Sequence, residues 1–270
     1  MSIVHGKYVE AVEEIIKNGY TFLDVNLPFL VTHRKSIKAF IERRLSLGDI
    51  KNWVYLMPGE EETEAGLVLP RVGKDLKYSF HDSHFLRQQI QAKAVILTKE
   101  DEEFLRLNKK LYAVGGEISA NLIKVLGIKF CKSSLLDNYY RTTKESIPYS
   151  ITILRGLYYP EALEQKGARK HIDKNLVTVH FGDTGGSLVS YQDVDDPVGK
   201  TLFIPEGKAV AFFGVKILWV TKGKVQPLWH GSITEGGKER LANPFFAHTS
   251  VEDYLVKDAR EAYDYFYTSN

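Results

Sequence analysis

The chain has 270 residues, with 36 lysines and arginines against 34 aspartates and glutamates, so its formal net charge at pH 7 is only +2. This near balance, without a basic run interleaved with aromatic residues, argues against nucleic-acid binding. A hydrophobic fraction of 44% with 26% charged residues is that of an ordinary soluble globular protein, and the length suits one large domain or two small ones.

The cysteine content and the N-terminus predict a cytoplasmic protein. A single cysteine, Cys131, excludes an internal disulfide and fits a reducing compartment. Because it follows an apolar helical stretch, we predict that Cys131 is a buried small hydrophobe and not a nucleophile. The first seven residues lack the charged and apolar regions of a signal peptide, and no uncharged apolar stretch approaches membrane-spanning length.

The first half of the chain is predicted to be mostly helical. Apolar residues recur at helical spacing in three stretches, 8–18, 34–46 and 100–126. The last of these is one long amphipathic helix, or two helices interrupted near Gly115 and Gly116. Alternation over residues 20–25 predicts a short strand, and residues 59–64 predict an acidic, exposed loop.

After about residue 147 the sequence becomes rich in β-branched and aromatic residues. Turn signals separate five predicted strands, at 149–155, 176–181, 187–192, 201–204 and 209–213. Short strands at this spacing predict a sandwich or jelly roll. With no flexible linker or internal repeat, we expect a single domain spanning 1–270. It would comprise a mostly helical lead-in (1–146), a jelly-roll core (147–250) and a C-terminal helix (251–270).

The most informative motif is His171-Ile-Asp173, followed 59 positions later by His230. Two histidines and one carboxylate can occupy one face of an octahedral Fe(II) ion and leave the opposite face open. On an extended segment, His171 and Asp173 point to the same side. The lack of nearby thiolates argues against a structural zinc site. Arg240, ten positions after His230, suits a carboxylate anchor beside the open face.

From about Ile153 to His248 the sequence resembles the isopenicillin N synthase-like branch of the 2-oxoglutarate/Fe(II)-dependent dioxygenases. The resemblance rests on Leu154-Arg-Gly-Leu-Tyr-Tyr-Pro160, His171-Ile-Asp173 with Gly186-Ser-Leu-Val, Pro205 to Gly214, and His230 to Phe246 with its Glu239-Arg240 pair. It implies a mainly β fold with flanking helices (α+β), built on a double-stranded β-helix (jelly-roll, cupin-like) core with a helical N-terminal lead-in.

The resemblance also implies the cofactors and their ligands. Fe(II) would be held by His171, Asp173 and His230, with 2-oxoglutarate as co-substrate and O2 as oxidant. Arg240 would pair with the far carboxylate of 2-oxoglutarate. Tyr159 would donate its hydroxyl to the co-substrate, although a packed strand aromatic is the alternative. The implied activity is oxidation of a small molecule such as an amino acid or specialised metabolite, most simply hydroxylation, with release of succinate and CO2.

Two positions depart from the family pattern. Ala242 stands where the family has Ser two residues after the arginine, and Leu157 stands where it often has Asn. Some members of this branch use no 2-oxoglutarate. The alternatives are therefore an Fe(II) oxidase of the same fold and a non-catalytic jelly-roll binding module. Asp173 favours hydroxylation, desaturation or ring closure over halogenation, and the sequence is silent on oligomeric state.

The neighbouring sequence predicts where several further residues lie. We expect His180 to be a strand residue or to support the ligands, and His81, Asp82 and His84 to lie on a surface loop or helix. Arg155 and Arg169 suit either an anionic substrate or a surface position. Trp219 and Trp229 are expected in the core or a pocket wall.

Overall fold

The computed structural model describes residues 3–56, 64–70, 77–93, 95–145, 151–161, 167–234, 238–249 and 258–269. The helices in these residues are α1 (Ile3–Asn18), α2 (Leu30–Leu47), α3 (His84–Ala92), α4 (Lys99–Lys129), α5 (Leu135–Glu145), α6 (Ile217–Thr221) and α7 (Ala259–Ser269), with a short 3-10 turn at Ile50–Asn52. The strands are β1 (Tyr20–Asp24), β2 (Val54–Leu56), β3 (Glu64–Val68), β4 (Tyr78–Asp82), β5 (Ile153–Tyr159), β6 (Val177–Thr184), β7 (Gly186–Tyr191), β8 (Lys200–Leu202), β9 (Lys208–Phe213), β10 (Trp229–Thr234) and β11 (Arg240–Ala247).

Two antiparallel sheets face each other. Among the described residues the larger sheet has the order β1-β9-β6-β11-β5-β4-β3-β2, and the smaller has the order β10-β7-β8. Leu188 and Leu202 of the smaller sheet pack between the layers against Val210 and Phe212 of the larger. The predicted mainly β fold with flanking helices and a double-stranded β-helix core is confirmed.

The long helix α4 covers the outer face of the larger sheet. Thr98 and Asp101 form a capping box at its start, and Leu111 and Leu122 pack in one core cluster with strand residues such as Val179. The helix runs unbroken through Gly115 and Gly116. By length and composition α4 would also qualify as a membrane span, but 56% of its apolar window is buried inside the protein. That burial is the pattern of a core helix.

Three strands in the first half were not predicted. β2, β3 and β4 extend the larger sheet beyond β5, so the lead-in supplies strands as well as helices. Each is only three to five residues long. A short strand shows little alternation, and the three join the sheet through the pairing of β4 with β5, which lies far away in the sequence.

Two predictions about burial were wrong. Cys131 is exposed and adopts a positive φ of 53° just beyond the end of α4, where the chain turns away from the core. His81 and Asp82 are buried on β4, because Asp82 receives two hydrogen bonds from Arg87 and His81 lies 3.0 Å from the Ser79 hydroxyl. The predicted acidic loop falls almost wholly outside the described residues, as does the first part of the predicted C-terminal helix.

Candidate metal centre

The structure brings His171, Asp173 and His230 together. His171 lies before β6 and pairs with His230 on β10 through two backbone hydrogen bonds of 2.8 and 2.9 Å. The Asp173 carbonyl accepts a bond from Val215 N at 2.8 Å, which fixes the intervening turn. One side-chain ligand atom from each residue lies within 4.8 Å of the other two. The three residues therefore form a compact donor set of two nitrogens and one oxygen.

Hydrogen bonds orient the three ligand side chains. Nδ1 of His171 lies 2.7 Å from the Arg169 carbonyl, and Nδ1 of His230 lies 3.1 Å from the Leu228 carbonyl. When each Nδ1 donates its proton to that carbonyl, the Nε2 lone pair faces the Asp173 carboxylate. Asp173 Oδ1 lies 3.5 Å from Nε2 of His171, and Oδ2 lies 3.6 Å from Nε2 of His230. The Thr178 hydroxyl donates to Asp173 Oδ2 at 2.6 Å. This geometry fits a divalent metal such as Fe(II).

The electrostatics hold Asp173 ionised and His230 neutral, which are the states in which these side chains bind a metal ion. Burial opposes ionisation of Asp173, but the two histidines and the Thr178 hydroxyl hold the pKa of its carboxyl well below the usual range. Burial lowers the pKa of His230 to about 4, so its imidazole is neutral. Burial would also lower the pKa of His171, yet the hydrogen bond and charge of Asp173 outweigh it and raise that pKa. With 45% of its side chain accessible, His171 marks the open side of the centre.

Arg240 is buried between the sheets, as a carboxylate anchor should be, but it already has a partner. Its Nε and Nη2 donate to Asp183 Oδ2 at 3.0 and 2.7 Å, and its Nη1 donates to the Ser232 hydroxyl at 2.9 Å. Its guanidinium lies 5.0 Å from the centre of the Tyr159 ring. Gly186 leaves room for this side chain, since a Cβ there would lie 2.7 Å from Arg240 Cδ. Asp183 thus occupies one edge of the guanidinium.

The two departures from the family pattern are neighbours. Ala242 is the cross-strand partner of Leu157, as Arg240 is of Tyr159. Leu157, Tyr159 and Ala242 form a small buried apolar cluster beside the arginine. An apolar pair therefore stands where the family pattern has hydrogen-bonding side chains.

Sequence reasoning missed Asp183, Ser232 and Thr178. Asp183 lies in a segment that looked like a plain turn, and nothing in the sequence linked it to Arg240. Ser232 had a usable signal, because a residue two positions after His230 on the same strand faces the same side. His180 is buried on β6, where its Nδ1 accepts a hydrogen bond from Gly182 N at 3.1 Å. It lies outside the metal cluster found among the described residues, as predicted.

A cavity of about 510 Å³ opens beside the centre. Its wall includes His171 and Asp173, together with Arg155, Trp229, Phe246 and His248. Arg169 is not among the described residues of this wall. Trp219 instead packs in the core, with its ring 5.3 Å from that of Phe266. The volume is that of an ordinary small-molecule site.

No protein-family model and no curated protein matches the sequence. Several solved structures do share its fold. A full-length protein from Neurospora crassa, in complex with α-ketoglutarate, is 15% identical with a TM-score of 0.66, covering 93% of this chain and 82% of that one. A protein assigned to the 2OG-Fe(II) oxygenase family from Caulobacter crescentus is 19% identical with a TM-score of 0.64, over 97% and 88% of the two chains. The dioxygenase for auxin oxidation 1 from Arabidopsis thaliana, as a 2-oxoglutarate complex, is 13% identical with a TM-score of 0.65, over 96% and 92%. The chain has the fold of the 2-oxoglutarate/Fe(II) oxygenases.

Proposed function

We propose that the chain is an Fe(II)- and 2-oxoglutarate-dependent dioxygenase of the isopenicillin N synthase-like branch. It would oxidise a small molecule, most simply by hydroxylating an unactivated C–H bond, with release of succinate and CO2. The observation that carries this proposal is the clustering of His171, Asp173 and His230 within 4.8 Å, with both Nε2 atoms turned inward. The shared fold supports it, as do the small-molecule ligands named for structures of that fold. We further propose a single domain that acts in the cytoplasm.

Each residue of the site has a task in this proposal. His171, Asp173 and His230 would hold Fe(II), and Thr178 keeps the Asp173 carboxylate oriented. Arg240 would receive the far carboxylate of 2-oxoglutarate on the guanidinium edge that Asp183 leaves open. Tyr159 would wall that pocket and direct its hydroxyl to the co-substrate. When bound, Fe(II) and 2-oxoglutarate supply the activation of O2 for C–H oxidation. The protein orients the substrate and excludes water.

A second candidate is an Fe(II) oxidase of the same fold that does not use 2-oxoglutarate. The observation that favours it is the ion pair between Arg240 and Asp183, two buried side chains that neutralise each other. Ala242 also favours this candidate, because the hydroxyl that the family places there is missing. Both candidates require the same iron ligands and differ only in the co-substrate.

Anaerobic calorimetric titration with Fe(II) tests the metal centre that both candidates share. We expect one Fe(II) per chain, and we expect Asp173→Ala to abolish binding because it removes the carboxylate ligand. Thr178→Val should weaken binding about 10–100-fold by freeing that carboxylate. The matched control is Thr221→Val, since Thr221 is buried and its hydroxyl bonds backbone atoms of Ile217 in α6 and of Val225 after it. Retention of full affinity by Asp173→Ala would refute the assignment.

A further inference from the structure

We propose that Asp183 determines the co-substrate specificity of the centre. By neutralising Arg240, it allows a 2-oxo acid with an uncharged far end to bind about as well as 2-oxoglutarate. This inference rests on the proposed function, because it concerns the co-substrate of that same site. Asp183 acts through Arg240 and is therefore a specificity-determining residue, not a catalytic one.

The charge of Arg240 is compensated inside the protein. One oxygen of Asp183, Oδ2, accepts hydrogen bonds from Nε and Nη2 of the guanidinium at 3.0 and 2.7 Å. Only 2% of the arginine side chain and 7% of the aspartate side chain are exposed. Because a buried pair is screened little by water, each charge cancels much of the field of the other. A molecule beside Arg240 therefore meets an ion pair and not a lone cation.

A second carboxylate on the same guanidinium would lie close to Asp183. Two carboxylates that share one site repel each other, and this repulsion offsets the attraction of each for Arg240. An uncharged tail at the same place would not be repelled. The charge of Asp183 thus reduces the advantage that 2-oxoglutarate would otherwise have over a 2-oxo acid with one carboxylate.

The other contacts of the guanidinium are uncharged. Its Nη1 donates to the Ser232 hydroxyl at 2.9 Å. An apolar cluster lies beside it, formed by Leu157, Tyr159 and Ala242. Burying an alkyl group against apolar side chains is favourable in proportion to the area removed from water. These neighbours therefore suit an alkyl tail as well as a charged one.

Two further titratable groups act on Asp183. Burial lowers the pKa of His180, on the same strand, to about 4, so its ring is neutral at pH 7. Arg34 of α2 is half-buried, and its guanidinium donates to two neutral oxygens, the Phe181 carbonyl at 2.9 Å and the Asn243 side chain at 3.2 Å. Its charge attracts Asp183 without a direct ion pair among the described residues. The direct charge partner of Asp183 in this part of the chain is thus Arg240.

Two 2-oxo acids that differ only at the far end test the inference. They are 2-oxoglutarate and 5-methyl-2-oxohexanoate, in which a branched alkyl end of similar shape replaces the far carboxylate. Both keep the 2-oxo acid head that would bind Fe(II), so the ratio of their dissociation constants reports on the far end. Anaerobic calorimetry on the Fe(II)-loaded protein would measure both. In the wild type the two should bind within about tenfold of each other, whereas a lone arginine would favour 2-oxoglutarate by about 100-fold or more.

Substitutions of Asp183 separate its charge from its shape. Asp183→Asn keeps an oxygen that can accept from Arg240 but removes the negative charge. It should increase the preference for 2-oxoglutarate about tenfold or more, because the far carboxylate then meets an uncompensated guanidinium. Asp183→Glu conserves the charge and should keep the wild-type preference. The matched control is Asp24→Asn, which removes an exposed aspartate that pairs with Lys208 at 2.6 Å.

Thermal melting would check that each variant folds, since Asp183→Asn leaves a buried cation without its partner. If that variant does not fold, the double variant Asp183→Asn/Arg240→Gln takes its place. It keeps the site neutral, as the ion pair does in the wild type, so its preference should stay within about threefold of the wild-type value. A larger loss of preference in the double variant would overturn the inference.

The outcomes separate this inference from the proposed function. If neither acid binds the Fe(II)-loaded protein, both are overturned, because the centre then uses no 2-oxo acid. If both acids bind but the wild type prefers 2-oxoglutarate by more than about tenfold, or Asp183→Asn leaves the preference unchanged, only the inference is wrong. Binding of 5-methyl-2-oxohexanoate alone would support the inference and overturn 2-oxoglutarate as the co-substrate.

Discussion

At the residue scale, Leu157 and Ala242 together give Arg240 apolar neighbours where the family pattern has polar side chains. They are cross-strand partners on β5 and β11, and both are apolar. Ser232 is the hydroxyl that contacts the guanidinium here, from β10 on the opposite sheet. The hydroxyl beside Arg240 therefore comes from a different strand than the family pattern implies.

This arrangement predicts the effect of restoring the family residue. Ala242→Ser should lower the dissociation constant of 2-oxoglutarate for the Fe(II)-loaded protein about tenfold, since a hydroxyl beside Arg240 adds a hydrogen bond to a charged group. Anaerobic calorimetry measures this change. Ala247→Ser is the control, because Ala247 lies on the same strand but belongs to the main hydrophobic core. An unchanged affinity in Ala242→Ser would mean that Arg240 does not receive the co-substrate.

At the scale of elements, two adjacent glycines of α4 have opposite roles. A Cβ on Gly115 would lie 2.5 Å from the Phe245 ring, whereas a Cβ on Gly116 would have the Tyr139 hydroxyl oxygen at 3.7 Å as its nearest neighbour. Gly115 thus permits close contact between the helix and β11. The sequence left open one helix or two helices interrupted near these glycines, because the contact with Phe245 cannot be inferred from local spacing.

Alanine substitutions at the two positions should have opposite effects on stability. Gly115→Ala should reduce the free energy of unfolding by about 1–3 kcal/mol, because overpacking outweighs the gain in helix propensity. Gly116→Ala should increase it by up to about 1 kcal/mol. Urea unfolding of both variants measures the difference. Equal changes in the two would contradict the packing of α4 against β11.

At the scale of the whole molecule, buried neutral histidines make stability depend on pH. Burial lowers the pKa values of His33, His180 and His230 to about 4. Between that value and the unfolded pKa near 6.5, the unfolded chain binds more protons, so stability falls as the pH falls. His171, whose pKa is raised, contributes in the opposite direction.

Metal-free protein should therefore unfold more easily in urea at about pH 5 than at about pH 7.5, by about 2 kcal/mol for each of the three histidines. His33→Gln should reduce this pH dependence by about the same amount, since Gln can still bond to Asn108, as His33 does at 2.8 Å. His84→Gln, on α3, serves as the control. A pH dependence that is identical in His33→Gln and the wild type would contradict a neutral buried His33.

Sequence prediction succeeded for features encoded in a short stretch of the chain and failed for features that depend on contacts between distant stretches. The jelly roll and its strands β5 to β9 follow from alternation and turn signals, and the clustering of His171, Asp173 and His230 follows from the order and spacing of the motif. Strands β2 to β4 were not predicted because they are short, and because the set joins the sheet only where β4 pairs with the distant strand β5. The Asp183 partner of Arg240 escaped because the contact joins β6 and β11, which only the folded sheet brings together.

An anaerobic optical titration of the Fe(II)-loaded protein with 2-oxoglutarate is the decisive experiment for the proposed function. We expect a weak visible charge-transfer band, absent in His171→Ala and weakened in the double variant Asp183→Asn/Arg240→Gln, which removes both charges of the buried pair together. Iron binding without any band in the wild type would contradict the use of 2-oxoglutarate and leave the Fe(II) oxidase and the non-catalytic binding module as the alternatives.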